Sequence, residues 1–164
     1  MKASGDVLGN NRAIVHSMET MADKYHPTEE TGSTTLFEFL AALPASQSWA
    51  TDRVSVEGFA QQIAISIVAG TAIAVSNGSL KDSIGTAAYH IEAPVSEQAW
   101  IEGVLLVPGS KRDESSHRSE LGGLCGIVTM VEALVGTYGI TEGEIEVGCD
   151  GELALRAFDL GYYI

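Results

Sequence analysis

The chain has 164 residues, 45% hydrophobic and 19% charged, with a formal net charge of −13. That length holds one domain with a real core, or one domain with an extension, and the composition is that of a soluble globular protein. The acidic balance argues against nucleic-acid binding unless basic residues cluster locally or magnesium neutralises the carboxylates.

The first twelve residues, MKASGDVLGNNR, lack the apolar core of a secretory signal. The longest nearly uncharged stretch, residues 63–80, contains Ser66, Gly70, Thr71 and Asn77 and reads as a helix end plus a strand rather than a membrane span. An intracellular setting, cytosolic or nuclear, with no membrane partner is the expectation. Cys125 and Cys149 have neither a second Cys nor a His at zinc-like spacing, and read as buried free thiols.

In chain order, residues 1–11 are small, polar and Gly/Asn-rich and read as disordered. Residues 12–24 carry Ile14, Val15, Met18, Met21 and Ala22 at helical spacing. A loop punctuated by Pro27 and Gly32 leads to a short apolar helix over 36–43 that Pro44 ends. Ser55 is a plausible N-cap for a helix whose apolar stripe is Val56, Phe59, Ile63 and Ile67, with Gly70 as its stop. Residues 71–76 form a strand on which Ile73, Val75 and Asn77 share one face. A polar turn at Lys81, Asp82 and Ser83 and a second apolar run over 85–91 complete a hairpin. A third strand over 100–107, closed by Pro108-Gly109-Ser110, makes an antiparallel meander. After a charged loop, KRDESSHR, comes a long helix over 116–138 with Gly139 as terminator. Its Gly122, Gly123 and Gly126 each cost about 1 kcal/mol relative to Ala, which implies close packing against a neighbouring element. A fourth strand over 144–149 and a helix over 151–158 follow. The order β-β-β-α-β-α predicts an α/β fold whose mixed sheet contains at least one parallel pair.

Two carboxylates stand out. Glu120 shares the apolar face of the long helix with Leu124 and Ile127, where a charge is expensive without a partner. Either the dipole of the helix's first turn offsets that cost or the side chain reaches toward a metal. Asp150 follows a strand and precedes a helix, the place of an N-cap and equally of a ligand at the carboxyl end of a strand.

Taken together, Asn77-Gly78-Ser79 at the first strand's end, Arg118-Ser119-Glu120-Leu121 opening the helix and Cys149-Asp150-Gly151 after the fourth strand resemble a ribonuclease H-like domain, most closely those of retroelement reverse transcriptase polyproteins. The resemblance covers roughly residues 70–158. It divides the chain into a partly helical N-terminal extension, 1–69, and a ribonuclease H-like domain, 70–164, incomplete at its C-terminus. What it implies is a domain that binds an RNA–DNA hybrid and, in its ancestral form, cleaves the RNA with clustered carboxylates holding two Mg²⁺ ions (or Mn²⁺). Glu120, Asp150 and Asn77 would be the catalytic metal ligands, with Gly78, Ser79, Lys81 and Arg118 touching substrate beside Lys111 and Arg112. Asn77 stands where the family has its central Asp, and the family continues past the third carboxylate to another strand, a His-bearing loop, a fourth carboxylate and a final helix. Weak metal binding and little or no cleavage are therefore expected. The rival reading is a non-catalytic module that packs against the polymerase domain of the same polyprotein.

Overall fold

The computed structural model describes residues 3–8, 12–17, 35–94, 99–110 and 112–159. In chain order the elements are β1 (Ala3–Leu8), β2 (Arg12–Ser17), α1 (Leu36–Ala41), α2 (Ala45–Ser48), a 3-10 turn at Trp49–Thr51, β3 (Arg53–Glu57), α3 (Ala60–Val68), β4 (Ala72–Lys81), β5 (Ile84–Ala93), β6 (Ala99–Leu106), α4 (Ser116–Tyr138), β7 (Gly143–Cys149) and α5 (Glu152–Asp159). The strands form a single seven-stranded sheet in the order β1-β2-β7-β4-β5-β6-β3. Among the described residues only β4 and β7 run parallel, and every other pair is antiparallel. The expected α/β fold with a mixed sheet is what forms.

The β4–β5 hairpin closes on Asp82 and Ser83, both at positive φ, a two-residue turn whose twist matches that of the flanking strands. Along β4 the small residues Ala72, Ala74 and Ser76 face inward, and α4 lies across them. Three of the glycines in α4 allow close packing there. A Cβ on Gly122 would strike the Val107 side chain, one on Gly123 the Ser76 side chain, and one on Gly126 the Tyr89 ring. Ile63, Ile67, Ile91, Ile101, Leu124, Ile127, Met130 and Leu134 then fill the layer between sheet and helices. By length and composition α4 could cross a membrane, but 67% of its most apolar stretch is buried inside the protein, as in a core helix.

The helix ends where Gly139 adopts φ 63° and ψ 34° and donates its N–H to the Val135 carbonyl. An L side chain is strained there, so Gly139→Ala should cost about 1 kcal/mol in urea unfolding, with the native far-ultraviolet spectrum retained.

The segment before residue 70 differs from expectation in three places. Residues 3–8 are a strand, not a disordered tail, and residues 12–17 are a strand, not the first turns of a helix. Their antiparallel ladders, β1 to β2 and β2 to β7, outweigh the helical spacing of Ile14, Val15 and Met18. The remainder of the helix expected over 12–24 lies outside the described residues. Ser55 and Val56 belong to edge strand β3, and the helix after them starts only at Ala60, because Gly58 turns the chain at φ 70°. The helix expected over 36–43 is α1, capped by a reciprocal pair in which Thr35 accepts the Glu38 N–H and Glu38 accepts the Thr35 N–H.

Candidate functional site

Parallel pairing of β4 with β7 sets Ser76 beside Cys149, both pointing to the α4 side of the sheet. Period-two alternation puts Gly78 on that same side, where a Cβ would lie 2.3 Å from the Glu120 backbone nitrogen. Only a glycine lets α4 come this close. Glu120 is thereby seated against the strand, 9% exposed, one turn into a helix whose N-cap is Ser115. It lies past the free N–H groups of the first turn, so the helix dipole alone does not account for it.

The Glu120 carboxylate has specific partners. Its Oε2 accepts the Gly78 N–H at 2.9 Å and the Cys149 thiol at 3.3 Å. The Gly151 N–H donates in turn to Cys149 Sγ at 3.4 Å. Asp150, exposed at the carboxyl end of β7, completes the group: one ligand atom each from Glu120, Cys149 and Asp150 lie within 4.8 Å of one another and could hold a metal ion. Ser76 adds a hydroxyl. It is 7% exposed and directed at the Cys149 thiol without closing a hydrogen bond.

Burial pushes the Glu120 carboxyl above the usual carboxylate range, and the Asp150 charge adds to the rise, against the lowering effect of the Cys149 and Gly78 hydrogen bonds. Burial likewise pushes the Cys149 thiol up to about 11, with the neighbouring Glu120 carboxylate adding to it. The site thus sets a buried carboxylate beside a second, exposed one, a situation a bound cation relieves.

No family model, characterised protein or solved structure matches the chain. The site therefore has to be read from its own chemistry.

Of the residues singled out in the sequence, Glu120, Asp150 and Gly78 come together; Gly78 serves as a backbone donor to Glu120. Asn77 lies between Ser76 and Gly78 on β4, exposed and opposite Ala88 of β5. Ser79 is exposed, and its carbonyl accepts the Thr86 hydroxyl at 3.5 Å. Lys81 is exposed at the hairpin tip, three residues past Gly78. The Arg118 guanidinium is engaged locally, its Nε and Nη2 donating to the Pro108 carbonyl at 3.1 and 2.6 Å. Lys111 lies outside the described residues, and Arg112 is exposed.

Sequence reasoning missed Cys149 and Ser76 as members of the site. A signal for Cys149 existed: Ile145, Val147 and Cys149 alternate along β7 and share its buried face, which delivers the thiol beside Asp150. Ser76 could be found only once the β4–β7 register was in hand.

Proposed function

We propose that the chain is a ribonuclease H-like module that does not hydrolyse nucleic acid and acts as a non-catalytic binding or packing unit. The antiparallel meander β4-β5-β6, the crossing helix α4, the parallel strand β7 and the following α5 match the order that the resemblance implies. Convergence of Glu120 and Asp150 at the carboxyl ends of β4 and β7 supports the same reading. The departure at the sheet edge is clear: β7 pairs on its other side with antiparallel β2, the position a strand following α5 would otherwise join.

One observation carries the loss of catalysis. Among the described residues only two carboxylates meet at the site, accompanied by a thiol and a hydroxyl, and Asn77 brings no charge where the family has its central Asp. Magnesium requires near-octahedral oxygen coordination, and two such ions side by side need more carboxylate oxygens than Glu120 and Asp150 offer. A pair of Mg²⁺ or Mn²⁺ ions does not fit this donor set. Nucleic-acid contact also has little support, because Arg118 is held by Pro108 and the chain carries a net charge of −13. Packing against another protein is the better reading of the module.

Incubation with an RNA–DNA hybrid and millimolar Mg²⁺ or Mn²⁺ should give no cleavage above the blank. Asn77→Asp, which adds the carboxylate that the family has at this position, is the companion variant, and cleavage gained only there would trace the loss of activity to Asn77. Robust cleavage by the unaltered chain would overturn the reading.

A further inference from the structure

We propose that Glu120, Cys149, Asp150 and the Ser76 hydroxyl form a site for one thiophilic divalent cation, zinc, rather than for magnesium. The inference uses these four side chains alone and stands whether or not the ribonuclease H-like reading holds.

Three features carry it. The first is the donor set: a cysteine sulfur among carboxylate oxygens suits zinc, which takes Cys, His and carboxylate ligands, and is foreign to magnesium, which takes oxygen. The second is spacing. Tetrahedral zinc with bonds of about 2.0–2.3 Å sets its ligand atoms roughly 3.5 Å apart. Cys149 Sγ and Glu120 Oε2 are 3.3 Å apart, and all three ligand atoms lie within 4.8 Å, so a small motion of the exposed Asp150 closes the shell. The third is Ser76. A buried hydroxyl without a hydrogen-bond partner is costly, and this one, 7% exposed, is aimed at the sulfur. A zinc-bound water, or the zinc itself, would give it the missing partner.

The surroundings prepare the site. The Gly78 and Gly151 N–H groups donate to Glu120 and to the sulfur and so orient both, as outer partners of a metal site do. A Cβ on Gly151 would come within 2.8 Å of Glu120 Cγ, so the glycine also leaves the carboxylate its room. On the solvent side Asp150 is exposed, which gives the ion a way in.

The test uses the full chain, stripped with a chelator under reducing conditions and titrated with zinc against a chromophoric competitor. One zinc per chain should bind at micromolar concentration, undisturbed by millimolar magnesium. Cobalt in its place should show a thiolate-to-metal charge-transfer band in the near ultraviolet. Cys149→Ser should abolish that band and weaken zinc by about 100-fold or more, and Ser76→Ala should weaken it by about tenfold. Cys125→Ser, which alters the other free thiol, should change nothing. Asp150→Asn guards against misfolding of the buried variants, because its exposed side chain is replaced by an isostere; it too should lose at least tenfold. Zinc held equally by Cys149→Ser and Asp150→Asn, or a cobalt complex without the thiolate band, would overturn the proposal and leave adventitious binding elsewhere, for example at His90 between Glu92 and Glu102.

Discussion

Gly78→Ala is expected to cost about 3–4 kcal/mol, a fall in Tm of roughly 10 °C, and to dismantle the candidate site at the same time. The added Cβ would sit 2.3 Å from the Glu120 nitrogen and 2.4 Å from the Ser119 carbonyl carbon. Both are backbone atoms in the body of α4, so no side-chain rotation relieves the clash, and the helix must move off β4. That motion lengthens the Gly78 N–H to Glu120 hydrogen bond and leaves a buried carboxylate short of a donor. Gly85→Ala in the adjacent strand makes a useful contrast. Its Cβ would meet the Glu114 carboxylate and the Ser119 hydroxyl, side-chain atoms that can give way, so the loss should be visibly smaller. Thermal denaturation of the two variants side by side checks the ranking; equal losses would mean that α4 is free to shift and that its seat on β4 is not fixed.

The same close approach explains which parts of the fold could be read from the chain. The bounds of α4 follow from its apolar face and Gly139, and its internal glycines announce tight packing before any partner is known. The meander follows from alternation and turn residues. What alternation cannot supply is the identity of the inward face when both faces of a strand are small. In β4, Ala72, Ala74 and Ser76 compete with Ile73, Val75 and Asn77 for the core. The bulkier set would be the natural choice for burial, yet the smaller set wins because α4 brings its own glycines and needs a flat surface. Val75 is left 48% exposed as a result.

The N-terminal strands were illegible for a different reason. A strand of six residues such as 12–17 is specified by its partner, and β2 pairs with β7, more than a hundred residues later in the chain. No local pattern encodes that pairing. Gly58 is the opposite case: its positive φ was a local stop signal that the stripe through Val56, Phe59 and Ile63 concealed, and Phe59 consequently lies 70% exposed.

In chelator-treated protein, Glu120→Gln is expected to raise Tm at neutral pH by roughly 2–4 °C, about 1 kcal/mol. A glutamine keeps an oxygen for the Gly78 N–H and removes a charge that burial and Asp150 both disfavour. The pH dependence gives the sign. A carboxyl whose pKa is raised by folding contributes its full stability below the ordinary carboxylate range, and that contribution is lost as pH rises through the folded-state value. The advantage of the glutamine variant should therefore close as pH falls toward roughly 4 and open again above the raised value. Thermal melts of both proteins across that range test it; a destabilised variant, or a gap indifferent to pH, would show that Glu120 is a structural acceptor and nothing more. If the gap behaves as expected, the native chain carries a carboxylate that lowers its own stability in the absence of a ligand. Saturating zinc should then reverse the order, stabilising the native chain and leaving the glutamine variant nearly unmoved. That reversal would tie the cost of the buried carboxylate to the proposed cation site; without it the cost belongs to Glu120 alone.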